Sequence, residues 1–353
     1  MSQDITLPLA EWLGQIIPSI ITQKNDEEIT IQGLSGDAGA RRYFTIDNYP
    51  EYLAVFAPVE SENSKTFIDI AEYLRDQGVR APKVIATDLA KGFLLIENLG
   101  EKLFLGELNS NTVEVLYGEA IITLLCMQQS PRSLSFIEDY SSDKLLQEAD
   151  LFPKWFVTDL LGYTINASEK MMLKQMFTIL IDSANEQPQC FVHRDFHSRN
   201  LIACDIGPPG VIDFQDAVWG PFTYDLVSLL RDCYVRWPEE RVRHWLFTYA
   251  NMGAEVGIMP KVSGEQLLKW FDLMGLQRHI KVLGVFSRLY LRDNKASYLQ
   301  DLPLVIRYIL EVARKYPELE KFVSWFEENI IPLAQQQSWY SDYKAAGFSP
   351  QPL

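Results

Sequence analysis

The stretch Phe191 to Asp216, FVHRDFHSRNLIACDIGPPGVIDFQD, constrains this 353-residue chain more than any other part of it. A short apolar run, Cys190 to Val192, stops at a dense polar cluster, and a second, Gly210 to Ile212, stops at another. Both clusters carry carboxylates. Leu201 to Cys204 and Gly210 to Ile212 flank Asp205-Ile-Gly-Pro-Pro, which has the residues of a turn. The pattern predicts a hairpin. Asp213, at the end of its second strand, then returns beside Asn200 at the start of its first, and Asp195 lies five positions before Asn200. Oxygen ligands that leave positions open suit Mg²⁺, which is usually bound by one or two carboxylates plus substrate phosphates. Asp195 would be left to accept a proton from a substrate hydroxyl.

Asp, four residues, Asn, then a later Asp is the arrangement of the kinase catalytic loop and its metal-binding Asp. Two other readings cover parts of it. His193, Asp195 and His197 form a His-x-Asp-x-His cluster of the kind that suits Zn²⁺, but only two further histidines exist, His244 and His279, both in helix-like sequence. A purely structural turn with capping Asp and Asn leaves the second cluster, at Asp213, without a reason. His193 reads as a residue that braces the loop rather than as a proton shuttle.

The length is enough for two lobes with ample core. Apolar content of 47% and charged content of 22% are those of a folded chain. A net charge of −15 argues against nucleic acid as a partner, for which a basic stripe is expected. Cys126, Cys190, Cys204 and Cys233 show no paired spacing, which points to a reducing compartment. The amino terminus lacks a basic region before its apolar residues, and no apolar run approaches the ~18 residues of a membrane span. A cytoplasmic protein is expected, with no membrane or nucleic-acid contact and no obligate protein partner.

Leu9, Leu13, Ile16, Ile17 and Ile20 recur at helical spacing and predict a helix over Leu7 to Ile21. Ile29 to Leu34 and Arg41 to Ile46 read as strands around Ser35-Gly36-Asp-Ala-Gly39-Ala40. That form can cover phosphates, with Gly36 and Gly39 letting backbone N–H groups approach them, and it equally suits an ordinary hairpin turn. Tyr52 to Phe56 is a third strand, and it lacks the Lys with which kinases hold nucleotide phosphates. Lys65, Arg41 or Arg42 could replace it, with Glu72 on a helix from Thr66 to Gln77 as partner; solvated surface charges are the plainer use of each. Lys83 to Asp88 and Gly92 to Ile96 form a further strand pair. Helical patterns follow over Asn111 to Gln129, Leu145 to Leu161, Glu169 to Glu186 and Tyr308 to Leu333, and Gln335 to Leu353 reads as a loosely attached tail. Asp225 precedes an apolar helix, where a first-turn carboxylate is at home.

His193-Arg-Asp195-Phe-His197-Ser-Arg-Asn200 and Ile212-Asp213-Phe-Gln-Asp216 resemble the two signature segments of the aminoglycoside phosphotransferase and choline kinase superfamily. Phe-Gln-Asp stands where a protein kinase has Phe-Gly. Asp213-Phe-Gln-Asp-Ala-Val-Trp-Gly-Pro221, Tyr224-Asp-Leu-Val-Ser-Leu-Leu-Arg-Asp-Cys-Tyr234, Gln277 to Gly284 and Arg288-Leu-Tyr-Leu-Arg292-Asp293 resemble, more narrowly, the bacterial anomeric kinases of N-acetylmuramate and N-acetylglucosamine. So do Arg41-Arg-Tyr-Phe44 and Ala57-Pro58, which makes the missing Lys look like a family trait.

The resemblance implies an α+β, two-lobed protein-kinase-like fold. Residues 1–97 would form a nucleotide-covering lobe, an antiparallel sheet plus helix, and residues 98–353 a mainly helical lobe with the catalytic loop, metal and sugar sites. It implies ATP and Mg²⁺ as cofactors, Asp195 as base, Arg199 as a γ-phosphate ligand, and Asn200 and Asp213 as metal ligands. Gly36, Gly39 and Arg41 would meet the nucleotide, and the backbone of Glu97 and Leu99 its adenine edge. Asp225 would brace the loop, with Trp219, Tyr224, Arg231 and Asp232 on the acceptor side. N-acetylmuramate carries a lactyl carboxylate that an Arg could clamp bidentately. Arg231, Arg288 and Arg292 are the candidates, and ion pairs to Asp232 and Asp293 are their competing use. The implied activity is ATP-dependent phosphorylation of a small-molecule amino sugar at its anomeric hydroxyl, in cell-wall sugar recycling. An aminoglycoside or choline-like acceptor, which demands an acidic pocket, is one alternative. A pseudokinase acting by interaction is another, suggested by the missing Lys and opposed by the intact Asp195, Asn200 and Asp213.

Overall fold

The structure, a computed structural model, describes residues 5–20, 29–34, 40–205 and 207–347. The chain divides into two compact units, Met1–Leu103 with Asn200–Gln215, and Phe104–Arg199 with Asp216–Leu353.

The first unit is built on an antiparallel sheet of β1 (Ile31–Gly33), β2 (Arg42–Ile46), β3 (Tyr52–Phe56), β4 (Val84–Asp88) and β5 (Phe93–Glu97), in the order β1-β2-β3-β5-β4. Phe44 and Ile46 alternate with outward residues on β2, whereas Phe93 to Ile96 on β5 are all buried. Helix α1 (Thr6–Ile20) repeats Leu9, Trp12, Leu13 and Ile17 at three- and four-residue steps and packs that stripe with Phe44, Ile46, Phe93 and Leu95. Each such side chain contributes roughly 1.5–3 kcal/mol when fully buried. Helix α2 (Ser64–Asp76) starts at Asn63, whose side chain accepts from the Thr66 amide at 3.1 Å. Gly92 has φ +70, and a Cβ there would stand 2.0 Å from the Ala57 carbonyl oxygen, so the turn into β5 requires glycine.

The expected hairpin is present. It pairs β7 (Leu201–Ile202) with β8 (Gly210–Val211), after β6 (Gln189–Val192) in the chain, and packs within the first unit. Val211 donates to the Arg80 carbonyl at 2.9 Å and Ala203 to that of Lys102 at 2.7 Å.

The second unit is mainly helical: α3 (Phe104–Glu107), α4 (Val113–Gln129), α5 (Ser142–Ala149), α6 (Ala167–Asn185), α7 (Thr223–Leu230), α8 (Glu239–Glu255), α9 (Gly264–Asp293), α10 (Leu302–Ala313), α11 (Glu320–Trp325) and α12 (Ile331–Ala334). The core gathers around the 30-residue α9, with residues of α6, α10, α11 and the segment Phe152–Leu160. Strand β6 pairs antiparallel with β9 (Val218–Pro221). The sequence hid β9 because Gly220 and Pro221 read as strand breakers; a Cβ at Gly220 would stand 3.0 Å from the Tyr140 side chain, a close approach that glycine eases.

Three expectations change. Leu145 to Leu161 is not one helix: α5 ends at Ala149, and Phe152–Leu160 winds as a π-helix whose first turn holds Pro153, which has no amide hydrogen to give. Tyr308 to Leu333 is likewise divided, with a break at Tyr316-Pro317. The tail is not loose over the described residues up to 347. Trp339, Tyr340 and Tyr343 pack on the core, and Arg307 holds the Ala346 carbonyl at 2.8 Å. No helix among the described residues is long and apolar enough to cross a membrane.

Candidate active site

In the first unit the hairpin brings Asn200 and Asp213 together, with Asn200 Nδ2 at 3.4 Å from Asp213 Oδ2. The Ile212 amide donates to the Asn200 carbonyl at 3.1 Å, which fixes the register, and Gln215 Nε2 holds the other Asp213 oxygen at 2.8 Å. Asp213 adopts φ +65, a backbone state that costs most side chains free energy and clusters at functional sites. Its carboxylate is exposed. Among the described residues no group of three or more His, Cys, Asp or Glu could hold a metal ion. A pair of oxygen-bearing side chains therefore does not make a closed Zn²⁺ site. It fits an ion such as Mg²⁺ that takes its remaining ligands from phosphates and water. His193, part of the Zn²⁺ alternative, is buried with Nδ1 accepting from the Asp195 amide at 3.3 Å.

Phe214, beside Asp213, stacks on Phe67 of α2 with ring centroids 5.0 Å apart, and the Arg41 guanidinium lies 4.7 Å from the same Phe67 ring. Arg41 pairs with Glu62 at 2.9 Å, and its side chain is 6% exposed. Glu72, the expected partner carboxylate, faces solvent. Lys65 pairs with Asp69 in the open, and Arg42 lies over Phe56, so Arg41 is the cation held beside the hairpin. Burial raises the Tyr43 phenol, opposed by Arg41 and reinforced by the nearby Asp213 and Glu62 carboxylates. The Glu97 amide donates to the Lys83 carbonyl at 2.8 Å, while that of Leu99 has no acceptor among the described residues. Gly36 and Gly39 lie outside the described residues.

In the second unit two buried carboxylates hold the loop 193–199. Asp225, in the first turn of α7, accepts from the His193 amide at 2.6 Å and the Arg194 amide at 2.9 Å, the bracing that the resemblance implied. Burial pushes its carboxyl up to about 7, against the pull of those two amides. Arg194 has φ +78, and its side chain pairs with Glu148 of α5, so backbone and side chain are both restrained. Asp232 takes the Ser198 amide at 3.0 Å, the Ser198 hydroxyl and the Tyr234 amide at 3.2 Å.

Asp195 lies between these anchors, partly buried. Burial acts to raise its carboxyl, but the charges of Lys281, His197, Arg194 and Arg278 outweigh it and hold the group below its ordinary value. It is ionised at neutral pH, as a base must be.

Sequence reading missed the network behind it. Glu148 accepts from the Tyr140 hydroxyl and pairs with Lys281 at 3.2 Å, Lys281 reaches the Tyr224 hydroxyl at 3.3 Å, and Arg278 donates to Cys233 Sγ at 3.2 Å. One signal was there: Gln277-Arg-His-Ile-Lys281 interrupts an otherwise apolar stretch of α9 with side chains that are nearly all buried.

Trp219, Arg231 and Asp232, expected beside the acceptor, are enclosed. Trp219 is edge-on to Phe191, and Arg231 pairs with Asp272 at 2.7 Å and Glu239 at 3.1 Å rather than with Asp232. Tyr224 is buried against Tyr140. Arg292 pairs with Asp293 at 2.8 Å, the competing use foreseen for it. Arg199 lies 3.9 Å over the Tyr234 ring.

A model of the phosphotransferase enzyme family matches residues 30–257. An N-acetylmuramate/N-acetylglucosamine kinase of Pseudomonas putida is 37% identical over 315 residues, covering 88% of this chain and 92% of that one. Among solved structures, a choline kinase from Cryptosporidium parvum aligns with a TM-score of 0.61 at 14% identity, covering 90% of this chain and 99% of its own. An aminoglycoside phosphotransferase in ternary complex with streptomycin and ATP aligns at 0.55 and 17% identity, covering 87% and 97%. At these identities the structural likeness is one of fold, α+β and kinase-like.

Proposed function

Because the chain belongs to the phosphotransferase enzyme family, we propose that this kinase uses ATP to phosphorylate the anomeric hydroxyl of N-acetylmuramate and N-acetylglucosamine. The observation that carries the reading is Asp195, a carboxylate held ionised on a doubly clamped loop, five residues before the Asn200–Asp213 pair. An anomeric hydroxyl is more acidic than an ordinary alcohol, so a carboxylate suffices to take its proton as the oxygen attacks the terminal phosphorus. Rate then comes mainly from positioning and charge stabilisation.

Residues 1–97 would serve the nucleotide, with Arg41, anchored by Glu62, as the cation in place of the third-strand Lys and the Leu99 amide toward adenine. Residues 98–353 would serve the acceptor, with Arg199 toward the transferred phosphoryl. Asn200 and Asp213 would hold Mg²⁺, which supplies neutralising charge to the phosphates when bound. The cations around Asp195 disfavour a polycationic aminoglycoside or choline-like acceptor. The name of the Pseudomonas putida relative supports the amino sugars, and a cytoplasmic place in cell-wall sugar recycling accords with them.

The test is turnover of ATP with Mg²⁺ on N-acetylmuramate, N-acetylglucosamine, glucose, kanamycin and choline, with Asp195→Asn alongside. Sugar 1-phosphate formed by the wild type and reduced by about 10²–10⁴-fold in the variant is expected. Turnover confined to kanamycin or choline, or nucleotide binding with no turnover at all, would sink the reading.

A further inference from the structure

The two proposed sugars differ by one group, a lactyl ether whose carboxylate N-acetylmuramate carries and N-acetylglucosamine lacks. A kinase that distinguishes them needs a cation on the acceptor side that no protein carboxylate already holds. In the second unit most candidates are engaged. Arg231 is 2% exposed and shared between Asp272 and Glu239. Arg292 is bound by both oxygens of Asp293 and stands in solvent. Arg278 is buried and donates to Cys233, and Lys281 is divided between Glu148 and Tyr224.

Arg288 differs from all four. It has no carboxylate within ion-pair distance among the described residues, and its Nε is buried without a hydrogen-bond partner. Its side chain is half-buried, so the guanidinium is neither sealed in nor freely hydrated. Burial and then the like charge of Arg292 lower its pKa, against the weaker pull of Asp293 and Glu148, so an incoming anion would relieve an unfavourable position.

Its place on α9 completes the geometry. Lys281, whose charge acts on Asp195, and Arg288 are seven residues apart, two helical turns on one face and roughly 10 Å along the axis. Glu148 pairs with the first and its charge reaches the second. Between them Gly284, where a Cβ would stand 2.4 Å from the Leu151 carbonyl carbon, lets α9 lie close against the chain after α5. A pyranose whose anomeric hydroxyl meets Asp195 would thus extend its far substituent along this face.

We propose that Arg288 is a specificity residue that takes the lactyl carboxylate of N-acetylmuramate. The assignment rests on the sugar-kinase reading above. The guanidinium would bind the carboxylate bidentately through its two terminal nitrogens, since Nε is buried.

The experiment compares kcat/KM for N-acetylmuramate, its lactyl amide and N-acetylglucosamine in the wild type, Arg288→Gln, Arg288→Lys and Arg292→Gln. In Arg288→Gln, N-acetylmuramate should lose on the order of 10- to 100-fold while the amide and N-acetylglucosamine hold their values. Arg288→Lys should recover part of the loss, because it restores charge without the fork. Arg292→Gln should leave the ratio between the sugars unchanged. Equal losses on all three substrates would make Arg288 a structural brace and overturn the assignment, as would an unchanged preference for the acid. A wild type inactive on both sugars would overturn the kinase reading itself, a failure visible before any variant is made.

Discussion

The loop 193–199 and the hairpin 200–215 are consecutive in the chain and are held in opposite ways. Two fully buried carboxylates, Asp225 and Asp232, bind the loop through four backbone and hydroxyl donors besides the Tyr234 amide, and Glu148 takes the Arg194 side chain. The hairpin has strands of two residues each, and Asp213, its chief ligand candidate, is exposed. A proton acceptor gains from being in place before the substrate arrives, since misplacement by an ångström costs rate. Ligands for an ion that arrives with phosphates gain from room to adjust. On the proposed reading, the tightest holding falls where a proton would move, and exposure where a metal would be received.

Substitutions can break that contrast. Asp225→Ala should have the largest effect on folding, about 3 kcal/mol or more, because it strands two buried amides; urea unfolding measures it. Asp225→Asn sharpens the point. The folded carboxyl is raised to about 7 from an ordinary value of about 3.9, so the folded chain holds that proton more tightly than the unfolded one. Its contribution to stability is complete below pH ~4 and is lost as pH rises toward ~7. The wild type should show this decline and the Asn variant should lack it.

Asp213→Asn should lower kcat/KM by roughly 10²–10³-fold and raise the Mg²⁺ requirement, with the unfolding midpoint unmoved. A large loss of stability instead would show the hairpin to be as tightly built as the loop. Lys281→Met removes the largest opposing charge on Asp195 together with a partner of Glu148; burial should then raise the Asp195 carboxyl, and the acid limb of the pH–rate profile should move upward. Lys65→Ala removes an exposed pair with Asp69, and it should change stability by less than about 1 kcal/mol and leave nucleotide KM unchanged. A rise in KM would return Lys65 to contention with Arg41.

The hairpin was legible because its turn residues and flanking apolar runs are local signals, and so was the strand pair around Gly92. The clamp by Asp225 was not legible from periodicity, which shows only a carboxylate at a helix start; it came from the resemblance of the motif. Arg41–Glu62 escaped because the two residues are far apart in sequence and Glu62 precedes α2 rather than lying on it. Glu148 and Lys281 look like any helix charges until tertiary packing buries them together. Pro153 and Pro317 broke two helices that apolar spacing alone had run through.

The membership of 200–215 in the first unit bears on how this protein could be recombined. A gene fragment ending near residue 103 would encode the sheet but not Phe214, which stacks on Phe67, nor Val211 and Ala203, which bond to the Arg80 and Lys102 carbonyls. Such a fragment lacks part of its own interior. Exchange of amino-terminal segments between relatives at that junction would hand each sheet a foreign hairpin, so the two stretches should be inherited as one block.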